Sequence, residues 1–504
     1  MKIRTAAVKP SSIATARPRR AARLAATLLI GPLAGCSLAP PAETPALPVP
    51  DSYPATATPP AGQVGQPTAV HPASMIPWRD YFLDPALQGI IRQALDNNRD
   101  LRTAMLRVRE ARALYGIQRA DQLPTIAAMA DGSRARVPGD LNFLGQSMVS
   151  SQYQVGIGLA TWELDFWGRV RNLKEAALEN YLATDEARRA VTLSLIAQVA
   201  DSYLGLRELD RRIALARETI VSRQESLRIF TRRFEVGSIA KMDLVQVEVL
   251  LQQAQTLAAQ LEQARDTQLH ALALLIGAPP QLPPAPASDD FSDEAVAREL
   301  HAGLPSDLLL QRPDILAAEH QLRAARANIG AARAAFFPSI TLTGSLGTAS
   351  AELSGLFDPG SRAWTFLPSL TVPIFDAGRA RAGVDLAEVR RDMVVANYEK
   401  TIQAAFRDVT DALSAGRWLS EQVRIAQATL ASQTERARLA KLQYDNGSAP
   451  YFEFLDAQRD LLSAEQQLVQ TRRALLSSRV SLYAALGGGS GSIAPADAAD
   501  STPH

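Results

Sequence analysis

The sequence predicts a mainly α-helical protein made of two tandem repeats, each with a β-hairpin and long coiled-coil helices. Two long proline-free stretches carry apolar side chains at every seventh position, the pattern of a coiled-coil seam. A short turn motif ends both stretches, and its copies are Gly237-Ser238 and Gly447-Ser448. Four shorter stretches alternate apolar with small or polar residues, as amphipathic strands do.

Residues 1–35 are predicted to be a signal peptide. Four arginines between Arg17 and Arg23 precede an apolar run, Leu24 to Ala34, that is too short to span a membrane. The run ends in Leu33-Ala34-Gly35-Cys36, which resembles a bacterial lipobox, so we expect lipidation of Cys36. A plain signal peptide with an incidental cysteine is the alternative. Cys36 is the only cysteine, which excludes disulfides and cysteine-based metal sites.

Residues 36–77 are rich in Pro, Ala and Thr and are predicted to form an extended, lipid-anchored tether. The whole chain has 53 basic and 52 acidic residues, so its charge gives no reason to expect a nucleic-acid partner. No later stretch has about 18 consecutive apolar residues, the length a membrane helix requires. Any membrane crossing must therefore use strands.

The first repeat is predicted over residues 78–277. A helix from Asp84 to Gln122 is followed by strands over Thr125–Arg136 and Ser151–Leu164, a long helix over Arg169–Glu235 and a return helix over Lys241–Ile276. The seam of the long helix consists of Val199, Leu206, Ile213, Ile220, Leu227 and Phe234. The aromatic cluster Trp162–Trp167 is typical either of a membrane–water boundary or of an aromatic corner.

Residues 278–303 are predicted to be a proline-rich linker with a short helix around Asp293–Leu300. The second repeat covers residues 304–486, and residues 487–504 are predicted to be a disordered tail. Its seam is Val409, Gly416, Val423, Leu430, Ala437 and Tyr444. The spacing between matching landmarks is four residues longer in the first copy, which predicts a longer insertion between its two strands.

Four amphipathic strands are too few to close a membrane barrel, which requires about eight. Three chains would pool them into a 12-stranded barrel with the helices on a common axis. The alternative is that two ordinary hairpins cover the end of a helical bundle. The lipid anchor and the regular alternation over Ser151–Thr161 favour the barrel.

Four motifs identify a family resemblance: Leu304–Ile315, Pro373–Arg379, Gly447–Arg459 and Leu482–Gly489. Together with the lipobox, they resemble the TolC-like outer membrane factor family, in its OprM and NodT type lipoprotein branch. The resemblance implies a homotrimeric channel-tunnel with a 12-stranded barrel in the outer membrane and an α-helical tunnel across the periplasm. It also implies docking through a periplasmic adaptor onto an inner-membrane pump, most often of the proton-driven RND type, to expel drugs or other small toxic molecules.

The same resemblance implies a gate at the periplasmic tip of the second repeat. By position, Asp456 matches the acidic constriction residue, Phe452 the apolar residue one turn earlier and Arg459 the basic residue that follows. Three further residues match positions of closing contacts between tips: Tyr444, Asp243 and Glu453. The four turn residues Gly237, Ser238, Gly447 and Ser448 match the tips that meet the adaptor.

Each of these assignments has a simpler alternative. Asp456 and Arg459 are spaced as an exposed i, i+3 helix pair of little energetic value, and the glycines are helix-breaking turns in any case. Some relatives carry a basic residue where this chain has Ala449, which puts any latch that depends on that residue in doubt. In the trimer, a ring of three Asp456 carboxylates would favour cations and repel itself.

The sequence offers less support for two other classes of function. Glu453 and Asp456 could serve as an acid–base pair, but a coiled-coil tip offers no concave pocket and no nucleophile motif accompanies them. The five histidines lack metal-ligand spacing, so neither a metal nor a catalytic residue is expected. A lipid-anchored periplasmic coiled-coil adaptor or tether without a pore is the competing structural reading, although adaptors normally have one hairpin and no twofold repeat. The only expected non-protein group is the lipid on Cys36.

Overall fold

Long helices and one sheet account for nearly all of the residues that the structure describes. A computed structural model describes residues 38–41, 45–46, 48–50, 52–53, 73–141, 143, 145–282, 300 and 311–494. Within these ranges the elements are α1 (Trp78–Tyr81), α2 (Pro85–Asn97), α3 (Arg99–Ala120), β1 (Ile126–Val137), β2 (Met148–Glu163), α4 (Arg169–Glu235), α5 (Lys241–Ile276), α6 (Pro313–Ala334), β3 (Ser339–Ser350), β4 (Arg362–Thr371), α7 (Arg379–Asp445) and α8 (Tyr451–Ala485). The order confirms two repeats of helix, hairpin, long helix and return helix.

The chain divides into two units. Of the described residues, those within 1–42, 116–176 and 325–390 form the sheet unit, and those within 43–115, 177–324 and 391–504 form the helical unit. In the sheet unit the four strands lie in the order β1-β2-β3-β4, and every neighbouring pair is antiparallel. Among the described helices, none combines the length and the apolar character that a membrane span requires.

The strand register brings the apolar residues of the sheet to one face. Ile157 of β2 lies opposite Leu346 of β3, which lies opposite Trp364 of β4. These side chains are exposed within the chain, by 53%, 45% and 70%. The opposite face carries mainly small and polar residues, with Met129 and Leu367 among the apolar exceptions. Two cross-strand hydroxyl pairs lie on it: Thr161–Thr343 at 3.2 Å and Ser345–Thr365 at 2.7 Å. The predicted alternation is therefore confirmed.

One prediction about the hairpins is wrong. The two strands of the first copy are joined by residues 138–147 and those of the second by residues 351–361, so the first connection is not the longer one. The extra length lies in β2, which has 16 residues against 10 in β4. An irregularity between Leu159 and Trp162 interrupts the register there, as a bulge does when it adds unpaired residues to one strand.

An aspartate that lies a few residues before each long helix caps its start. The Asp165 carboxylate accepts hydrogen bonds from the backbone N–H groups of Val170 and Arg171, at 3.0 and 2.7 Å. The Asp376 carboxylate accepts from the N–H groups of Ala380 and Gly378, and these bonds lower its pKa. Each carboxylate thus satisfies N–H groups that have no partner within the helix.

The aromatic cluster after β2 forms a packed corner of the sheet unit. The Trp167 ring stacks on Phe337 with 4.6 Å between ring centroids, and its indole N–H donates to the carbonyl oxygen of Pro338 at 2.8 Å. The sequence is compatible with a membrane–water boundary or an aromatic corner here, and Trp167 lies in an aromatic corner. Phe166 remains 39% exposed.

The core of the helical unit lies where α2, α4, α5 and α8 meet. Its largest buried side chains include Tyr81, Phe82, Ile90, Leu272 and Tyr483. Tyr81 and Tyr483 stack with 4.2 Å between ring centroids. Their hydroxyl groups donate to backbone carbonyls, so neither buried phenol lacks a partner. Burying each large apolar side chain stabilises the fold by about 1.5–3 kcal/mol.

The predicted seam of α4 is correct except at its last residue. Val199, Leu206 and Ile213 are buried, and Ile220 and Leu227 pack partly buried against core clusters, but Phe234 is 38% exposed and Phe230 is buried instead. An α-helix with 3.6 residues per turn drifts by about 20° per heptad relative to a strict seven-residue repeat. Five heptads separate Val199 from Phe234, so the seam leaves the contact face before the tip.

The sequence predicts a single helix from Asp84 to Gln122, and this prediction is wrong at Asn98. The backbone of Asn98 is extended, with φ −60° and ψ 132°, and separates α2 from α3. Its side-chain oxygen accepts from the N–H of Leu101 at 2.7 Å, and its side-chain nitrogen donates to the carbonyl oxygen of Leu275 at 2.8 Å. Asn98 therefore caps α3 and also binds the junction between α2 and α3 to α5. Asparagine suits this role because its side chain can both accept and donate a hydrogen bond.

The prediction of a disordered tail from residue 487 is wrong for residues 487–494, which pack on the helical unit. The Gly489 N–H donates to the carbonyl of Ala73 at 3.0 Å, the Ser490 hydroxyl to that of Gln311 at 2.9 Å and Arg188 Nη2 to that of Ala494 at 2.8 Å. These three bonds attach both ends of the segment to the helical unit. Residues 495–504 lie outside the described residues.

Several other predictions fall outside the described residues. They concern the signal peptide, Cys36, most of the tether over 36–77, and residues 283–299 and 301–310, which hold most of the linker and its short helix. Where the tether is described, the Tyr53 ring stacks on Phe406 with 5.3 Å between centroids. Ala73–Met75 forms a 3-10 turn.

Candidate functional site at the helical tips

The two turns that end the long helices have the same backbone geometry. Gly237 and Gly447 adopt φ values of 75° and 70°, which glycine tolerates and other residues rarely adopt. The N–H and the hydroxyl of Ser238 both donate to the carbonyl of Arg233. Ser448 makes the same two bonds to the carbonyl of Gln443, at 2.9 Å each. These are Schellman motifs that satisfy the last carbonyls of α4 and α7, and they leave the four predicted docking residues exposed.

An aromatic cluster joins the two tips within the helical unit. The Tyr451 ring lies 4.3 Å from Phe230, 4.7 Å from Tyr444 and 5.7 Å from Phe454, between centroids. Its hydroxyl shares a 2.7 Å hydrogen bond with Ser226 Oγ. Burial raises the pKa of Tyr451, so the phenol stays neutral at physiological pH.

Tyr444, one of the predicted gate residues, contacts the tip of the first repeat through Arg233. The Nη1 of Arg233 donates to the Tyr444 hydroxyl, and the guanidinium lies 5.7 Å from the Tyr444 ring centroid and 5.8 Å from that of Phe230. Such cation–π contacts contribute about 0.5–1 kcal/mol at exposed sites.

Asp456 belongs to a four-residue ion-pair cluster that spans the α7–α8 hairpin. Its two oxygens pair with Arg459 Nη2 at 2.5 Å and with Arg436 Nη2 at 2.9 Å. Arg436 Nη1 also pairs with Asp460 at 2.5 Å, and Arg459 contacts Asp460 at 3.2 Å. The hydrogen bond from Arg436 lowers the pKa of Asp460. Two carboxylates thus face two guanidinium groups, and the cluster is electrically balanced.

Phe452 and Glu453 are exposed next to this cluster. The Phe452 side chain is 58% exposed. Together with Glu453, Asp456, Arg436 and Leu439 it lines an open groove of about 820 Å³. Glu453 forms no ion pair with any residue that the structure describes.

Asp243 has a local role in the first repeat. Its carboxylate accepts a hydrogen bond from the N–H of Ala240 at 3.2 Å and so caps the first turn of α5. The structure therefore brings Asp456 and Arg459 together and places Phe452 and Glu453 beside them. Tyr444 lies in the aromatic cluster, and the described polar contact of Asp243 stays within its own helix start.

The sequence did not single out Arg436, Asp460, Arg233 or Tyr451. A usable signal existed for Arg436, because residues at similar distances before and after the Gly447 turn face each other in an antiparallel hairpin. Arg436 precedes Gly447 by about as many residues as Asp456 and Asp460 follow it. No spacing rule identifies Arg233, because it belongs to the first repeat and its partner Tyr444 belongs to the second.

Metal ligation has no support among the residues that the structure describes, where no group of three or more His, Asp, Glu or Cys side chains is placed to hold an ion. His320 instead shares a 2.7 Å hydrogen bond with Glu179.

Comparison with known proteins places this geometry in a family. A family model described as outer membrane efflux protein matches residues 90–278 and 304–488, one segment for each repeat. Outer membrane protein OprJ of Pseudomonas aeruginosa is 43% identical over 92% of this chain and 95% of its own length. The solvent efflux pump outer membrane protein SrpC of Pseudomonas putida is 44% identical over 91% and 96%.

A solved structure agrees with these relatives. The open state of the MtrE outer membrane channel of Neisseria gonorrhoeae is 38% identical and superposes with a TM-score of 0.80, covering 90% of this chain and 98% of that one. Identity at this level over nearly the whole length, in both repeats, confirms the resemblance found in the sequence. The chain belongs to the outer membrane efflux protein family.

Proposed function

We propose that three copies of this chain form the outer membrane channel-tunnel of a tripartite efflux system, a passive exit duct for drugs or other small toxic molecules. The observation that carries this proposal is the exposed apolar face of the sheet, on which Ile157, Leu346 and Trp364 align in register. Family membership supports the same function. The duct acts without catalysis, since its role is to provide a path.

The open edges of the sheet support the trimer. β1 and β4 are the outer strands, and unpaired N–H and C=O groups are too costly to expose to lipid. Pairing β4 of one copy with β1 of the next closes a 12-stranded barrel and removes both edges. The apolar face then contacts lipid and the hydroxyl-bearing face lines the lumen.

The tips of α7 and α8 form the gate in this proposal. Phe452 and Glu453 are exposed and available to project towards the axis of the trimer, while the Arg436–Asp456–Asp460–Arg459 cluster holds the hairpin in one conformation. Because this cluster is balanced, Glu453 is the charged residue of the groove that has no ion pair with any described residue. Docking of a periplasmic adaptor at Gly237, Ser238, Gly447 and Ser448, below an inner-membrane pump of the RND type, opens the gate.

The N-terminal assignment completes the proposal. Lipidation of Cys36 anchors the chain in the outer membrane, and replacing Cys36 with Ser is expected to abolish lipid labelling while leaving barrel insertion intact. Radiolabelled palmitate incorporation provides the measurement.

The pore itself is tested with purified full-length protein in detergent. We expect a trimer by native mass spectrometry and discrete conductance steps in planar lipid bilayers. A monomer that makes no pores would overturn the channel and favour a lipid-anchored tether.

The gate is tested by replacing Asp456 with Ala, which releases Arg436 from one of its two partners across the hairpin. We expect the open fraction to rise about five-fold, the ratio that corresponds to about 1 kcal/mol, with greater leak of large antibiotics in cells. Asp445→Ala is the matched control, because Asp445 pairs only within its own helix with Lys441. Equal conductance and equal cation preference in both variants would contradict a gate at Asp456.

A further inference from the structure

Two arginines lie near the end of β1, on the apolar face of the sheet. Side chains two residues apart in a strand point to the same face, so Arg134 and Arg136 share the face of Ala128, which lies opposite Ile157. Both arginines are exposed, and neither forms an ion pair with any residue that the structure describes. Arg136 Nη2 donates a 3.4 Å hydrogen bond to Ser147 Oγ. An arginine that faces lipid is costly, so a partner on an adjoining strand would stabilise both.

Two aromatic rings lie on the same face at the opposite edge of the sheet. Trp364 and Phe366 of β4 are two residues apart, and the register of Trp364 with Leu346 places both on the apolar face. Their side chains are 70% and 58% exposed. β1 and β4 are the outer strands of the sheet. One open edge therefore presents two guanidinium groups, and the other presents two aromatic rings.

The junction between the two repeats shows how such edges join. Within the chain, β2 of the first repeat pairs with β3 of the second, and its pairs on the apolar face are Leu159–Gly344, Ile157–Leu346, Val155–Thr348 and Tyr153–Ser350. By repeat order, β1 is the counterpart of β3 and β4 is the counterpart of β2. A junction between β4 of one copy and β1 of the next would therefore be of the same kind as the one observed between β2 and β3.

The two hairpins supply the numbering that converts the observed register into one between copies. Ile126 pairs with Leu159 in the first hairpin, and Ile340 pairs with Leu370 in the second. Positions in β3 are thus numbered 214 higher than their counterparts in β1 (340 against 126), and positions in β4 are 211 higher than those in β2 (370 against 159). Each observed β2–β3 pair then corresponds to one pair between β4 and β1 of the next copy.

The converted register joins large side chains of β4 to small ones of β1, and aromatic rings to arginines. The four pairs are Leu370–Ala130, Pro368–Gly132, Phe366–Arg134 and Trp364–Arg136. Residues directly opposite each other on antiparallel strands hold their Cβ atoms about 4.5–5.5 Å apart. At that separation a guanidinium group can stack on an aromatic ring, whose negative face attracts the cation.

We propose that Arg134 and Arg136 of one copy stack on Phe366 and Trp364 of the next, and that these contacts help to fix the register in which neighbouring copies join. The inference rests on the proposed trimeric channel, because only a closed barrel joins β4 to β1 of another copy. The rings cover the two charges on the face that contacts lipid. The alternative is that both rings contact lipid alone, as aromatic residues at a membrane–water boundary do, and it predicts no coupling between ring and arginine.

The register is tested by cysteine cross-linking of the full-length protein in membranes, measured as covalent trimers on non-reducing gels. Ala130→Cys combined with Leu370→Cys should cross-link after mild oxidation, because directly opposed residues lie within reach of a disulfide. Ala128→Cys combined with Leu370→Cys is the matched control. It is displaced by two residues, which separates the two positions by about 7–8 Å, so it should not cross-link, and neither should any of the single variants.

The stacking is tested by a double-mutant cycle on the rate at which the trimer dissociates on heating in detergent, followed by native mass spectrometry. Arg136→Gln and Trp364→Leu should each speed dissociation at least about five-fold, since every trimer loses three contacts. The double variant should dissociate about as fast as the faster single variant, because either change removes the whole contact. Arg362→Gln is the control. Arg362 lies on the same face, but its converted position is opposite residue 138, beyond the end of β1, so its loss should leave the rate unchanged.

The possible contrary results separate the register, the stacking and the channel. Cross-linking of the displaced pair in place of the opposed pair would overturn the register, and additive effects of Arg136→Gln and Trp364→Leu would overturn the stacking. Conductance in planar bilayers is measured on the same samples. A pore-forming trimer with neither the cross-link nor the coupling would refute this inference alone, whereas a monomer without pores would refute the channel.

Discussion

Glu465 of α8 is a carboxylate whose surroundings oppose its charge. Burial is the main cause that raises its pKa, and the like charge of Glu218 on α4 adds to it. A raised pKa in the folded state means that folding favours the protonated form. The stability contributed by this group is therefore fully present below its unfolded pKa of about 4.3 and is lost as the pH rises through its folded pKa.

Replacing Glu465 with Gln should stabilise the protein at neutral and higher pH. The neutral amide avoids both the desolvation and the repulsion, and we expect a gain on the order of 0.5 kcal/mol near pH 8 after allowance for solvent screening. The gain should vanish near pH 4, where the parent carboxylate is protonated. Thermal unfolding followed by circular dichroism across this pH range provides the measurement.

Glu225→Gln serves as the control for this prediction. Glu225 is exposed on α4, and its hydrogen bond with Arg228 lowers its pKa, so its substitution should not stabilise the protein at any pH. A gain for Glu465→Gln that persists unchanged at low pH would show that charge is not the cause.

At the same scale, the candidate gate was predictable only where neighbours in sequence are neighbours in space. The Asp456–Arg459 pair follows from i, i+3 spacing on a helix. Arg436 joins Asp456 only after the hairpin has folded, and Arg233 reaches Tyr444 only after two repeats have packed. The charge balance of the cluster, which changes the expected electrostatics, depends on these distant partners.

At the scale of the element, the tip turns show how one glycine determines where a long helix ends. Gly447 has φ +70°, and an added Cβ would meet nothing within 4 Å. A substitution there is therefore a test of backbone conformation without a steric clash. Gly89, inside α2, also has nothing within 4 Å but has helical neighbours on both sides.

Gly447→Ala should destabilise the tip by about 1 kcal/mol, because a non-glycine residue is strained at positive φ. Gly89→Ala should instead stabilise α2 by about 0.5–1 kcal/mol, because alanine loses less entropy in a helix. Hydrogen exchange of peptides from the tip and from α2 measures both. Slower exchange at the tip of Gly447→Ala would contradict the strained turn.

Most element boundaries could be predicted because the long helices contain strong periodic signals and no proline. α4 and α5 begin and end where the sequence predicts. The break at Asn98 could not be predicted, since an asparagine inside an apolar period is compatible with a continuous helix. Its hydrogen bond to Leu275 is a tertiary contact, separated by 177 residues in the chain.

At the scale of the whole molecule, the C-terminal segment is part of the helical core. Residues 487–494 bond to Ala73, Arg188 and Gln311, and an added Cβ on Gly488 would lie 2.4 Å from the buried Tyr483 ring. Polyglycine suggests disorder when it is read alone. Here the absence of side chains allows the backbone to pass closely over an aromatic ring.

A chain ending at residue 486 should therefore be less stable than one ending at residue 494. The shorter chain loses these hydrogen bonds, each worth about 0.5–1.5 kcal/mol, and exposes Tyr483. We expect a loss of about 2–4 kcal/mol, measured by denaturant unfolding in detergent. The chain ending at 494 keeps every described contact and is the control; equal stability of the two chains would refute a structural role for the segment.

The equal length of α4 and α7, 67 residues each, constrains how such a sequence can change over generations. One inserted residue in either helix would rotate every later side chain by about 100° and advance it by 1.5 Å. Such a change would separate Arg233 from Tyr444 and Phe230 from Tyr451. The two repeats differ in length instead within their strands, as the 16 residues of β2 and the 10 of β4 show. We therefore expect related sequences to tolerate insertions and deletions in the strand hairpins. A change in the length of one long helix should be accompanied by the same change in the other.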